Sequence, residues 1–283
     1  MRFLQPTTLA ELADCLTQKQ GENCHLIAGC TDFLAKRNNQ AWEADLLVSL
    51  VNLPALKVIA LQDGKLSIGA VCTHTQIEEH PLVKRYFPAL SQACGNVGSK
   101  QIRNRGTIGG SIGNASPAGD MFPVLLTLGA RAVLLNGAGV TRREPMEKLA
   151  LAGDEAILSF ELPLPAVNNI NSFIKLGDRP KVTIAKINLA VSMELEKGVI
   201  RNPMVCLGAV SRYAFPASDA MAVLDGKPLS EELFPVFSQV LSEEIRRSIP
   251  TRASMPYKSK AVRGLADTIL ADLICQAKEK SLI

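Results

Sequence analysis

Aromatic surface is scarce in this chain, with one Trp and three Tyr among 283 residues, and the net charge is only +4. Nucleic-acid readers set aromatic platforms among dense positive charge, so that class is disfavoured. No run of about 20 apolar residues occurs, and Met1–Pro6 contains no apolar leader core, so neither a membrane span nor a secretory signal is expected. Cys15, Cys24, Cys30, Cys72, Cys94, Cys206 and Cys275 are odd in number and scattered, with no C-x-x-C. That is the pattern of reduced cytoplasmic thiols, and it speaks against a disulfide frame, a zinc site or an iron–sulfur site. Internal repeats and low-complexity tracts are lacking. No G-x-x-x-x-G-K-[ST] occurs, and the spacing Gly106, Gly109, Gly110, Gly113 does not give G-x-G-x-x-G. Both the P-loop and the Rossmann readings fall.

What is present is a 47% hydrophobic chain, long enough for two domains and a real core. Its most informative stretch runs from Thr107 to Asp120 and holds four glycines, Ser111, Asn114, Ser116 and Asp120. A segment so poor in side-chain bulk lets backbone N–H groups come close to a ligand, and a phosphate or pyrophosphate is the natural guest. A second segment of this kind, Ala28-Gly29-Cys30-Thr31-Asp32, follows the apolar Leu26-Ile27. The pair suggests a dinucleotide held from two sides. The plainer reading of either segment is a structural turn.

Thr8 and Glu11 read as a capping box ahead of a helix face made by Leu9, Leu12, Ala13 and Leu16. Strands are expected at Cys24–Ala28 and Leu46–Leu50, with a hairpin across Asp63-Gly64 joining Val58–Leu61 to Lys65–Ala70. Helices are expected at Thr75–Glu79, Leu82–Cys94 and Met121–Leu128, and strands at Arg131–Leu135 and Ile157–Leu162. Pro163–Asn169 reads as a linker. Beyond it, strands at Ser172–Leu176, Ile187–Glu196 and Val199–Val210 precede helices at Ala217–Leu224, Ser230–Arg247 and Lys258–Lys278. Strands followed by helices argue for an α+β domain.

Several residues invite a sharper reading than they support. Gly109-Gly110-Ser111-Ile112-Gly113 matches the G-x-S-x-G nucleophile elbow, which needs a His downstream of the Ser. The three histidines, His25, His74 and His80, all lie upstream. His74 and His80 read as surface residues. His25 either flanks a ligand or packs. Cys30 is either a reactive thiol or a small filler. Arg246, Arg247, Arg252, Lys258, Lys260 and Arg263 form either a solvated face or a protein interface.

These segments also carry a resemblance. Ala28–Leu34 resembles the AGGTDLL loop of the FAD-binding subunits of molybdenum hydroxylases, the xanthine dehydrogenase and carbon monoxide dehydrogenase group. Gln101–Gly110 is similar to that family's QIRN-x-GTIGG, and Asn114–Asp120 to its NASPxxD. Lys175, Arg179 and Ala185 are similar to its K…R…A segment, and Pro250–Lys258 to its D-x-RASAEYR segment. The likeness runs in order along nearly the whole chain.

The resemblance implies an α+β fold: a two-lobed FAD-binding domain of the vanillyl-alcohol-oxidase type, followed by a smaller α+β C-terminal domain. The first would span residues 1–166, with lobes meeting near residue 53, and the second 167–283. By the same implication His25, Leu26, Ile27, Ala28, Gly29, Cys30, Thr31 and Asp32 wrap the FAD pyrophosphate. Thr107, Ile108, Gly109 and Gly110 close on it. Asn114, Ser116 and Asp120 serve ribose or adenosine-side hydroxyls. Leu158 and Lys175 sit near the isoalloxazine, and Val97 and Gly98 line the same cleft. Molybdopterin is expected on a large partner subunit and [2Fe-2S] clusters on a small one, with NAD or another acceptor taking the electrons. Two residues depart from the family pattern. Cys30 replaces a loop glycine, which calls for negative φ or tolerated strain, and Ser111 replaces an Asn. Two other readings stay open: an assembly module of the same fold without redox activity, and a standalone flavin oxidoreductase.

Overall fold

A computed structural model describes residues 1–18, 23–39 and 44–283. In chain order the elements begin with β1 (Arg2–Leu4), α1 (Leu9–Gln18), β2 (Cys24–Ile27), α2 (Thr31–Asn39), β3 (Leu46–Ser49), β4 (Ile59–Gln62) and β5 (Lys65–Gly69). Short helices follow: α3 (His74–Glu79), α4 (Pro81–Tyr86), α5 (Pro88–Gly95), α6 (Lys100–Arg103), α7 (Ile108–Gly113) and α8 (Met121–Thr127). Then come β6 (Arg131–Asn136), β7 (Thr141–Pro145), β8 (Glu155–Pro163), β9 (Asn169–Leu176), β10 (Ile187–Glu196), β11 (Val199–Gly208) and β12 (Phe215–Pro216). The chain closes with α9 (Ser218–Leu224), α10 (Phe234–Ser248) and α11 (Met255–Glu279). These residues form two compact units. Unit 1 is Met1–Ile77, Ser99–Ala115 and Gly129–Leu164; unit 2 is Glu78–Gly98, Ser116–Leu128 and Pro165–Ile283.

In unit 1 a small parallel sheet runs β1-β3-β2, with Leu47 facing both Phe3 and His25. The central strand β3 is buried at all four positions, as a parallel strand flanked on both sides must be. Helix α1 buries Leu12, Ala13, Cys15 and Leu16. Its cap differs from the expected box. Thr8 Oγ1 accepts from Glu11 N at 3.2 Å, but the Glu11 carboxylate reaches back to Thr7 N, at 2.7 Å, one residue further than the reciprocal box requires. A five-stranded antiparallel sheet runs β4-β5-β8-β6-β7. Strand β7 escaped the sequence reading because its run Thr-Arg-Arg-Glu-Pro has no apolar alternation. Arg142 on it forks onto the buried Glu155 at 2.6 and 2.9 Å and fastens the strand to the start of β8.

Unit 2 carries an antiparallel sheet, β12-β11-β10-β9. Strand β10 is buried from Ile187 to Met193, and Thr127 of α8 donates to Ala190 O on it at 3.5 Å. Helix α11 places Val262, Leu265, Ala266, Ile269, Leu270, Leu273, Ile274 and Ala277 on one stripe of helical period, and α10 packs Phe237, Leu241 and Ile245 into the same core. Glu244 of α10 accepts from Asp219 N and Ala220 N at 2.7 and 3.1 Å, so it caps α9.

Three further sequence expectations change. The single helix Leu82–Cys94 is two helices broken at Phe87-Pro88, because the residue before proline is pushed out of the helical region. Thr107–Asp120 is not one open loop, since Ile108–Gly113 is helical and Thr107 caps it. Strand β11 stops at Gly208, and Ala209 then takes φ +61°.

Candidate functional site

In unit 1 the two glycine-bearing segments lie against each other. A Cβ on Gly29 would stand 1.9 Å from Arg105 O and 3.1 Å from Gly106 Cα. A Cβ on Gly106 would stand 3.4 Å from Thr31 Oγ1. Only backbone fits there, so glycine is required at 29 by close approach. The loop Ala28–Asp32 leads from β2 into α2. Among the described residues, the N–H groups of Gly29, Cys30 and Thr31 make no hydrogen bond. Three unmet backbone donors gathered at the start of a helix make a place for an anion.

The Thr107–Gly110 segment is tied into unit 1 by backbone hydrogen bonds. Ile108 N donates to Cys72 O at 3.1 Å and Gly109 N to Ala70 O at 2.9 Å. Gly110 N donates to Thr107 Oγ1 at 3.0 Å. The N–H groups of Ile108, Gly109 and Gly110 are therefore occupied within the protein. Gly109 is demanded by packing, since a Cβ would stand 2.7 Å from Ala70 Cβ and from Ala70 O. Gly113 faces open space. Asn114 N closes α7 onto Gly110 O at 2.9 Å, and Leu158 O on β8 accepts from Ala70 N at 2.8 Å.

Cys30 sits at φ +59°, the left-handed region that glycine tolerates and L side chains resist. The Cys-for-Gly departure is thus borne as strain. Burial pushes its thiol up against the pull of Arg105, and Sγ lies 3.4 Å from Ala28 O, which supports the filler reading. Cys30→Gly is expected to stabilise the chain by about 1 kcal/mol, the relieved strain less glycine's extra unfolded-state entropy. A urea midpoint that falls or stays put in this variant would contradict the strain.

His74 is not at the surface. It is 1% exposed, and Ser111 Oγ lies 3.0 Å from its Nε2. The hydroxyl of the Ser-for-Asn departure therefore has a buried partner. Among the described residues no acid orients this ring and its Nδ1 has no hydrogen-bond partner, so the pair does not form a hydrolase triad. Burial, with Arg103 adding to it, lowers the His74 pKa to about 4. The unfolded chain protonates this histidine near its ordinary pKa of about 6.5. The stability from keeping it neutral is complete above that pH and lost as pH falls toward 4. At about 1.4 kcal/mol per unit the loss is about 3 kcal/mol. His74→Gln should flatten the stability profile between pH 6.5 and 4; equal slopes in variant and wild type would refute the buried neutral ring. His25 packs edge-on to Phe33 at 6.1 Å between ring centroids and meets Asn23 Oδ1 at 3.0 Å.

In unit 2, Asp120 and Lys175 come together. Lys175 Nζ stands 2.6 Å from Asp120 Oδ2, with side chains 5% and 6% exposed. The same ammonium donates to Asn96 O at 2.9 Å. Asn96 caps the C-terminal end of α5, where carbonyls collect negative potential, and Asp120 stands at the N-cap of α8, where the potential is positive. Each charge is thus placed at the helix end that favours it. Asn188 Nδ2 donates to Asp120 Oδ1 at 3.0 Å and to Gly119 O at 3.3 Å. Burial pushes the Asp120 carboxyl up, while Lys175 and Asn188 pull it down. Val97 and Gly98 follow Asn96 directly, with Gly98 at φ +47°. Ser116 Oγ accepts from Ala118 N at 3.3 Å in the turn before Asp120. The sequence reading missed Asn188. The signal was an amide inside an otherwise apolar strand, which in a buried setting needs a polar partner.

Two family models match the chain, one in each half. The description "FAD binding domain in molybdopterin dehydrogenase" matches residues 1–165, and "CO dehydrogenase flavoprotein C-terminal domain" matches 172–273. The chain is 30% identical over 289 residues to the nicotinate dehydrogenase FAD-subunit of Eubacterium barkeri, across 97% of this chain and 96% of that one. It is 25% identical to the xanthine dehydrogenase FAD-binding subunit of Escherichia coli O157:H7, across 98% and 97%. Its fold is similar to carbon monoxide dehydrogenase from Hydrogenophaga pseudoflava, with a TM-score of 0.88 at 22% identity over 97% of each chain. A strained loop at a helix start, a glycine that admits only backbone, and these matches along both regions agree: the chain belongs to the FAD-binding subunits of the molybdenum hydroxylases.

Proposed function

We propose that the loop Ala28–Asp32 holds the pyrophosphate of FAD, with the N–H groups of Gly29, Cys30 and Thr31 as donors. Those three unmet donors, pressed against the Arg105–Gly106 backbone, are the observation that carries the reading. His25 to Ile27 form the wall that leads into the loop. Thr107 to Gly110 act indirectly, by fixing the backbone at 105 and 106 from a segment hydrogen-bonded to residues 70 and 72. Asn114, Ser116, Val97 and Leu158 are assigned to the cofactor by resemblance to the family. Lys175 is assigned to the flavin ring in the same way. An ammonium has three donors. Asp120 and Asn96 occupy two of them here, and the third remains for the flavin. Asp120 is then the residue that holds Lys175 in place.

Bound FAD supplies one- and two-electron redox chemistry, and the protein supplies placement and electrostatics. The described residues contain no cluster of three or more potential metal-ligating side chains. We infer that this chain works beside a small subunit with [2Fe-2S] clusters and a large molybdopterin subunit, and passes their electrons to NAD or another acceptor. All seven cysteines are free, which supports a reducing, cytoplasmic setting. The test is affinity capture from the native host, followed by flavin, iron and molybdenum analysis. The expected complex contains all three. Recovery of this chain alone, oxidising substrate unaided, would overturn the subunit reading.

A further inference from the structure

The C-terminal helices carry charge that the flavin site does not use. Among the six basic residues of the Arg246–Arg263 stretch, the structure separates different roles. Arg247 pairs with Asp219, and Lys258 Nζ donates to Ala209 O at 2.6 Å. Arg246, Lys260 and Arg263 instead line one cavity of about 470 Å³ together with Ser242, Met255 and Pro256. Among the described residues, no carboxylate lines it. Arg263 donates to Gln239 Oε1, a neutral acceptor, and among the described residues Arg246 and Lys260 have neither an ion pair nor a side-chain hydrogen bond. Three cations on one concavity repel one another until an anion joins them.

A second observation points to the same guest. Ser242 lines this cavity from α10, is 0% exposed, and among the described residues its Oγ has no partner. Its neighbours behave otherwise. Ser238 Oγ donates to Pro235 O at 3.1 Å, and Ser259 Oγ to Pro256 O at 3.2 Å. A buried hydroxyl left unmet is costly, and such groups normally find a partner. The cavity is also walled by Met255 and Pro256, the first turn of the 25-residue helix α11, whose N-cap Ser254 makes no side-chain capping bond. The positive end of a long helix adds to the field there.

We propose that the cavity between α10 and α11 binds a small phosphate monoester. A phosphate carries about −1.5 to −2 charge at neutral pH, which matches three cations, and its oxygens suit two guanidiniums and an ammonium. The volume lies within the ~300–1,000 Å³ of small-molecule sites. Met255 and Pro256 give an apolar wall for the organic part. This site is separate in its residues from the loop and ion pair assigned to FAD, so it stands or falls independently of that assignment.

Calorimetric titration of the full chain with inorganic phosphate and with phenyl phosphate, at constant ionic strength, tests the proposal. Phenyl phosphate is expected to bind more tightly than inorganic phosphate. Arg246→Ala and Lys260→Ala should each weaken binding about tenfold or more, the loss of a charge-assisted hydrogen bond. Arg247→Ala, outside the cavity, should leave binding unchanged. Ser242→Ala should weaken binding while raising the melting temperature of the phosphate-free chain, because it removes the unmet hydroxyl. Absence of binding by either probe, or equal losses in Arg247→Ala and Lys260→Ala, would overturn the site. Equal affinity for the two probes would overturn the assignment to a monoester.

Discussion

Asp120→Ala is expected to destabilise the chain by about 3–5 kcal/mol, the cost of leaving one partner of a buried ion pair alone. The Asp120 side chain is 6% exposed and takes Lys175 at 2.6 Å and Asn188 at 3.0 Å, so its removal leaves a buried ammonium with only Asn96 O and the amide with only Gly119 O. Asp14→Ala, on the exposed face of α1, should stay within about 0.5 kcal/mol. The double variant Asp120→Leu/Lys175→Met should recover most of the loss, since replacing both charges removes the stranded one. FAD affinity then separates stability from function. If Asp120 serves to hold Lys175, Asp120→Ala and Lys175→Met should weaken FAD by similar factors, and the double variant by no more than either. Additive losses would mean that each residue contacts the cofactor on its own. A denaturation midpoint unmoved in Asp120→Ala would contradict the buried pair itself.

Gly29→Ala is expected to abolish FAD binding at ordinary concentrations. The new Cβ would sit 1.9 Å from Arg105 O, and neither neighbour is a flexible side chain, so the loop and the Arg105–Gly106 backbone must part. At roughly 1.5–3 kcal/mol per charge-assisted hydrogen bond, misplacing two of the three donors at 29–31 lowers affinity by about a hundredfold or more. Gly113→Ala is the control, because a Cβ there meets nothing within 4 Å. The comparison is read by titrating FAD into the flavin-free chains. Equal affinities would remove the loop from the site. Gly109→Val does not discriminate, since its side chain would strike Ala70 and test packing instead.

These cases show what the sequence can carry. Periodic elements were legible: α1, α10 and α11 announce themselves through apolar stripes, and β10 through a buried run. The charged strand β7 had no such signal, because an edge strand held by Arg142 and Glu155 needs no apolar face. Glycine richness correctly marked close approach but did not say of what. At Gly109 the approaching group is Ala70, and at Gly29 it is Arg105. His74 looked like a surface residue because its neighbours Thr73, Thr75 and Gln76 are polar. Its burial comes from residues 103–111, which no local window contains. Asp120 and Lys175 were each singled out, but their pairing is a long-range fact, 55 residues apart in the chain. The division into units is of the same kind, since unit 2 takes Glu78–Gly98 and Ser116–Leu128 from the middle of the chain.

The most direct measurement is the visible spectrum and flavin content of the purified full chain, before and after denaturation and after incubation with FAD. The account predicts a yellow protein that releases intact FAD on denaturation, in amounts equal to the chain, and a flavin-free form that takes FAD up again. It also predicts that the Cys30→Gly variant keeps this behaviour while Gly29→Ala loses it. A colourless chain that FAD cannot reconstitute, or flavin bound equally well by Gly29→Ala, would contradict the assignment of the loop at residues 28–32 to the FAD pyrophosphate.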